Sequence, residues 1–194
     1  AGDFSGLSVS LSADGTHVAI GANGNDGNGS NSGHVRIYQY DGVGWSQLGL
    51  DIDGEATADS SGVSVSLSAD GTRVAIGAFL NDGNGSESGH VRIYQYDGVG
   101  WSQLGLDIDG EAAGDRSGYS VSLSADGTRV AIGAYANDGN GDLSGHERIY
   151  QYDGVGWSQL GLDIDGEVAG DKSGQSVSLS ADGTRVAIGA LNND

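Results

Sequence analysis

One 56-residue unit repeats along this chain, and the repeat restricts the fold more than any other feature. Gly6, Gly62, Gly118 and Gly174 stand 56 residues apart, as do Asp14, Asp70, Asp126 and Asp182. Residues 1–56 and 57–112 differ at eight positions, and residues 57–112 and 113–168 at ten. Residues 169–194 open a fourth copy and cover nearly half of it. The expectation is a single repeat domain over 1–194.

Each unit reads as four short strands. Ser8 to Ser12 alternates polar and apolar residues, the period of a half-buried strand. Ala13-Asp14-Gly15 follows, and Asp-Gly is a hairpin turn signal. His17 to Ala22 forms the second strand, and a glycine-rich loop from Asn25 to Gly29 leads to the third, His34 to Tyr40. Asp41-Gly42-Val43-Gly44 turns the chain again into a fourth strand, from Trp45 to about Ile52. No segment carries a helical period. The fold class expected is all-β: a β-propeller of four-stranded antiparallel blades, about 3.5 blades in this chain. A β-solenoid is the rival, but the hairpin turns favour a meander. The serine face of the first strand suits a crowded inner position. Trp45, Leu48, Leu50 and Ile52 are expected to fill the wider outer gap between blades.

The motifs Phe4-Ser5-Gly6-Leu7-Ser8-Val9, Val18-Ala19-Ile20-Gly21-Ala22 and Gly33-His34-Val35-Arg36-Ile37-Tyr38 recur in register. In these the chain resembles the FG-GAP repeat, the blade of integrin α-subunit propellers and of many secreted proteins. That resemblance implies a propeller, an extracellular or cell-surface setting, and a role in adhesion or ligand binding. Two departures stand out. The calcium run D-x-D-x-D-G between the first two strands is absent, since Ser12-Ala13-Asp14-Gly15-Thr16 is a tight turn. The phenylalanine of the first motif remains only as Phe4.

The copies differ from one another at eleven unit positions, and ten of these fall on one edge if the blades are antiparallel. Position 7 holds Leu7, Val63, Tyr119 and Gln175; positions 23 and 24 hold Asn23-Gly24, Phe79-Leu80, Tyr135-Ala136 and Leu191-Asn192. Loops drift in general. Yet the turns at the opposite edge hardly vary, and the varying residues include aromatic and aliphatic side chains suited to contacts. The expected ligand-binding set is Leu7, Val63, Tyr119, Gln175, Asn23, Phe79, Leu80, Tyr135 and Leu191. One further variation, Glu147 in place of Val35 and Val91, reads as an exposed position.

Acidic and amide side chains gather on the same edge. Asp26, Asn28, Asp53 and Glu55 could converge on a calcium ion, which takes six to eight oxygen ligands. The equivalents are Asp82, Asn84, Asp109 and Glu111, then Asp138, Asn140, Asp165 and Glu167. Asx-turns are the alternative use of such residues. Asn28-Gly29-Ser30 and Asn84-Gly85-Ser86 also spell glycosylation sequons.

The formal net charge of −19 repels nucleic-acid phosphates and anionic membranes. No apolar run is long enough for a membrane-spanning helix. Cysteine is absent, so neither disulfides nor thiolate metal sites arise. The chain opens on Ala1 and contains no Met, which reads as a processed, excised or designed sequence with no signal peptide. Ser, His and Asp occur in every unit, whereas an active site breaks a repeat, so no enzyme is expected. The functional expectation is an extracellular binding or adhesion module for a protein or glycan. The alternative is a self-assembling structural unit, or a consensus scaffold. A homo-oligomer or a longer repeat chain is the expected context.

Overall fold

The computed structural model describes residues 2–193, with no helix among them. Blade 1 comprises β1 (Ser8–Leu11), β2 (His17–Ala22), β3 (His34–Tyr40), β4 (Trp45–Gln47) and β5 (Ile52–Asp53). Blade 2 repeats them as β6 (Ser64–Leu67), β7 (Arg73–Ala78), β8 (His90–Tyr96), β9 (Trp101–Gln103) and β10 (Ile108–Asp109). Blade 3 has β11 (Ser120–Leu123), β12 (Arg129–Ala134), β13 (His146–Tyr152), β14 (Trp157–Gln159) and β15 (Ile164–Asp165). A last hairpin pairs β16 (Ser173–Leu179) with β17 (Val186–Ala190). Each blade is an antiparallel meander, in the propeller arrangement of about 3.5 blades.

The Asp-Gly turn is built by its own side chains. Asp14 Oδ1 accepts from Ser12 Oγ at 2.7 Å and from the Thr16 amide at 2.9 Å. These bonds hold the Asp14 carboxyl down at about 2. A carboxylate so occupied makes this a turn and not an ion loop.

Blades join through their inner strands. The Ala13 amide donates to Ala69 O at 2.9 Å, Ala69 to Ala125 O at 2.8 Å, and Ala125 to Ala181 O at 2.8 Å. The serines of the first strand are more than small. Ser8, Ser64 and Ser120 donate Oγ to Gly62, Gly118 and Gly174 O, at 2.7, 2.7 and 2.8 Å. Ser10, Ser66 and Ser122 accept the amides of Leu67, Leu123 and Leu179, each at 2.9 Å. The approach is so close that a Cβ on Gly77 would collide with Gly118 O.

Between blades lies the core. One cluster holds Val35, Ile37 and Ile52 of blade 1 against Val65, Leu67, Val74 and Ile76 of blade 2. A second repeats it between blades 2 and 3 around Val91, Ile93, Leu123, Val130 and Ile132.

The fourth strand departs from the sequence reading. It breaks after Gln47 and resumes at Ile52, and both pieces pair with β3. Gly49 takes φ +76° at the break, and the Trp101 ring of the next blade packs over it. Trp101 and Trp157 donate Nε1–H to Leu48 O and Leu104 O at 2.8 and 2.7 Å. A second correction follows: Leu50, expected to fill the gap, is exposed, because the break turns it outward while Leu48 packs in.

Candidate functional site

The loops between second and third strands and the connectors into the next blade meet along each seam. Backbone strain marks this edge. Ser60, Arg116 and Lys172, at unit position 4, take φ of 56°, 59° and 55°. Asn31, Glu87 and Leu143, at position 31, take 52°, 53° and 54°. None is glycine, so each conformation costs on the order of 1 kcal/mol. Tertiary bonds hold them: the amides of Ser60, Arg116 and Lys172 donate to the carbonyls of Asn31, Glu87 and Leu143, all at 3.1 Å. Asp26, Asp82 and Asp138 accept the amides of residues 31, 87 and 143 at 2.8 Å. The strained residues are those that vary between copies, so an invariant scaffold presents variable side chains.

At the seam between blades 2 and 3 these side chains form one continuous group. The Phe79 and Tyr119 rings lie 5.6 Å apart, and those of Tyr119 and Tyr135 lie 4.6 Å apart, both edge to face. Arg116 donates Nη1 to Tyr135 Oη at 2.6 Å, and Nε and Nη2 to Glu87 Oε2 at 3.2 and 2.8 Å. The bond to Tyr135 and then that to Glu87 raise the Arg116 pKa above its ordinary value. The same positions hold Asn23, Val63 and Phe79 at the first seam, and Tyr135, Gln175 and Leu191 at the last.

Leu7 and Leu191 are exposed, while Asn23, Val63, Phe79, Leu80, Tyr119, Tyr135 and Gln175 are half-buried. Asn23 Oδ1 and Gln175 Oε1 are buried without a hydrogen-bond partner. Arg116 and Glu87 were missed as members of the group. Their signal was present, since positions 4 and 31 both vary between copies.

The acidic quartets are divided. Asn28, Asn84 and Asn140 turn Nδ2 toward the loop, donating to the carbonyls of Gly54 and Glu55, Gly110 and Glu111, and Gly166 and Glu167, all at 2.8–3.0 Å. Asp26, Asp82 and Asp138 are engaged as described. A glycan on Asn28 or Asn84 would replace one Nδ2 hydrogen and so break at least one of these bonds. Asp53 and Glu55 turn to different histidines: Asp53 Oδ1 lies 4.0 Å from His34 Nδ1, while Glu55 Oε2 lies 3.9 Å from His90 Nδ1 of the next blade. Asp165 and Glu111 approach His146 at 3.9 and 3.8 Å. Asp109 and Glu167 are exposed, and Glu167 donates its backbone amide to Asp171.

Groups that could hold a metal therefore exist, but with histidine at their centre. They are His34, Asp51 and Asp53; Glu55, His90 and Asp107; and Glu111, His146 and Asp163. Burial lowers the His90 pKa to about 4 and lowers that of His146 as well. Burial also raises the Glu55 carboxyl. Carboxylates from two blades face His90 and His146, whereas those facing His34 both belong to blade 1.

Glu147 corrects another expectation. It is 0% exposed. Burial drives its carboxyl up to about 8. Its one partner is Ser173 Oγ, donating to Oε2 at 3.4 Å, and Oε1 has none. Unit position 35 points into the seam, not out of the edge.

Antiparallel blades stitched along their inner strands define a β-propeller repeat protein. The model of the FG-GAP repeat matches residues 1–38 and 107–150, and these two stretches are similar to that repeat. No curated protein matches the chain by sequence. Among solved structures, a candidate 6-phosphogluconolactonase from Bacteroides uniformis is similar at 12% identity and a TM-score of 0.62, over 93% of this chain and 46% of that one. The hydrazine synthase of Kuenenia stuttgartiensis follows at 12% and 0.56, over 93% and 40%. The Cps50 (Swd1) β-propeller domain of Myceliophteria thermophila matches at 13% and 0.53, over 95% and 50%. The chain spans half or less of each, and at such identity the likeness concerns the fold alone.

Proposed function

We propose that this chain is a non-enzymatic binding module, of extracellular or cell-surface adhesion type, that recognises a protein or glycan through its variable edge. The observation that carries the reading is the run Phe79–Tyr119–Tyr135 with Arg116 and Glu87, assembled from positions that vary between otherwise near-identical blades. Half-buried aromatic rings offer wide apolar contact at small entropic cost, and an arginine adds directional donors. A non-catalytic role is supported by the recurrence of the titratable groups in successive blades. Glu147, which breaks the repeat and has a strongly raised pKa, is sealed from substrate. Calcium at the loops of Asp26 and Asn28 gains nothing from the geometry, since both side chains brace the backbone.

The test is a panel of oligosaccharides and matrix proteins, titrated against the chain and against a Phe79→Ser, Tyr119→Ser, Tyr135→Ser variant. Saturable binding lost in the variant supports the edge. Binding that survives, or none to any member, counts against it.

Self-assembly as a structural unit is the second reading. It is favoured by the uncovered face of blade 1, where Val18, Ile20, Tyr38 and Trp45 line an apolar hollow beside the exposed Val9 and Leu11. Light scattering across concentrations separates the two: a mass that grows without limit supports assembly, and a discrete species supports the binding module.

A further inference from the structure

Two buried histidines at the blade seams, His90 and His146, turn Nδ1 toward carboxylates that stand beyond hydrogen-bond reach. His90 is 1% exposed, and its Nε2 is sealed without a hydrogen bond. Its Nδ1 faces Glu55 Oε2 of blade 1 at 3.9 Å and Asp107 Oδ2 of its own blade at 4.0 Å. Both distances are too long for hydrogen bonds. His146 repeats the arrangement, with Glu111 Oε2 at 3.8 Å, Asp163 Oδ2 at 4.0 Å and Asp165 Oδ1 at 3.9 Å.

The carboxylates are oriented. Each principal one has one oxygen tied down and the other turned to the imidazole. Gln103 donates to Asp107 Oδ1, and Gln159 to Asp163 Oδ1. Arg92 Nη1 lies 3.3 Å from Glu55 Oε1, and Arg148 Nη1 lies 3.5 Å from Glu111 Oε1. Those arginines are anchored in turn, donating Nη2 to Asp53 O and Asp109 O at 2.8 and 2.7 Å. Outer partners that fix the free atom of each ligand are the usual support of a metal centre.

We propose that each of these two seams binds one first-row divalent metal ion, Zn2+ foremost, through Glu55, His90 and Asp107 at the first and Glu111, His146 and Asp163 at the second, with Asp165 beside it. The class follows from the donors. Imidazole nitrogen suits zinc and its neighbours, whereas calcium takes oxygen ligands only. Metal–ligand bonds of about 2.1 Å place tetrahedral donors roughly 3.4 Å apart. Each imidazole nitrogen and its facing carboxylate oxygens need to close by only about half an ångström to meet that spacing, and all three donor atoms lie within 4.8 Å of one another. The site assembles from two blades, so an ion there ties blade to blade. It shares no residue with the aromatic group and does not depend on the reading of that group.

Blade 1 supplies an internal control. There Arg36 closes on Asp51 through Nε and Nη2 at 2.9 and 2.8 Å, and Gln47 adds a bond of 2.6 Å. Both oxygens of Asp51 are taken, so His34 is expected to hold no ion.

Equilibrium dialysis of chelator-stripped protein against Zn2+ tests the proposal. Two ions per chain are expected. Glu55→Gln and Glu111→Gln should each remove one, the double variant should bind at least 100-fold more weakly, and Asp51→Asn should leave both. All three exchanged carboxylates are at least partly exposed, so the variants are expected to fold, which circular dichroism checks. Zn2+ should raise the melting temperature of the wild type and not of the double variant. Uptake unchanged in the double variant would mean diffuse attraction to an acidic surface and would overturn the proposal. So would no uptake at millimolar Zn2+. Equal affinity for Ca2+ at the same two sites would overturn the assigned class.

Discussion

Blade 1 and blade 2 carry the same residues on their inner strands, yet these live in different surroundings. Val9 is 63% exposed where Val65 is 9%. Leu11 is 61% exposed where Leu67 is 7%. Trp45 is exposed, while Trp101 docks on the preceding blade. Arg36 folds back on Asp51, while Arg92 reaches across to Glu55. The residues are identical; the difference is a neighbour on one side. A blade is thus an incomplete unit whose side chains find their partners in the adjacent copy, as in other repeat architectures.

The largest effect that would sharpen this contrast is steric. Gly77→Val places a Cβ against Gly118 O, a backbone atom that cannot swing away, and should cost more than about 3 kcal/mol in urea unfolding. Gly189→Ala, at the same unit position in the last hairpin, meets only Ser176 Oγ and a few more distant atoms of that residue. It should cost less than about 1 kcal/mol, since a side-chain hydroxyl can rotate. Equal costs would break the comparison.

Removing apolar volume comes next. Leu67→Ala should cost about 3 kcal/mol and Leu11→Ala well under 1 kcal/mol. Similar losses would mean that blade 1 is covered in solution, and sedimentation would then show an associated species.

Glu147 offers a contrast at fixed geometry. Its carboxyl is raised in the folded state, to about 8. The folded form therefore holds a proton that the unfolded chain releases near pH 4.5. Its contribution is full below that pH and is lost as pH rises toward 8. Glu147→Val, restoring the residue of the other two blades, should stabilise by on the order of 2 kcal/mol at pH 8 and by little at pH 4. Thermal melts across that range check the slope. A gain independent of pH would mean that the carboxyl is solvated.

The smallest expected difference is a single indole. Trp101→Phe removes the bond to Leu48 O and should cost about 1 kcal/mol, while Trp45→Phe should cost almost nothing.

Much of this was legible in the sequence because local rules dominate a blade. Alternation, the Asp-Gly turns and the repeat place the first three strands of each complete blade within a residue of where they lie, and mark the variable edge as one surface. The break in the fourth strand was not legible. Trp45-Ser46-Gln47-Leu48-Gly49-Leu50 reads as a continuous strand, yet each blade breaks at a positive-φ glycine (Gly49, Gly105 and Gly161), and the tryptophan of the next blade packs over the first two. Asp53 and Glu55 likewise look like neighbours, but β5 ends at Asp53 and the chain bends at Glu55, so they serve histidines of different blades. Glu147 looked exposed because a charge at a variable position normally is.

By itself the sequence determined the repeat, the strands, the turns and which positions vary, all of which depend on contacts within a few residues or on comparison of copies. The tertiary structure alone decided which faces are covered, which carboxylates meet which imidazole, and that Phe79, Tyr119, Tyr135, Arg116 and Glu87 form one group. Those pairings join residues up to about one repeat apart, across a seam between two blades. Only the packing of one blade on the next brings them within reach.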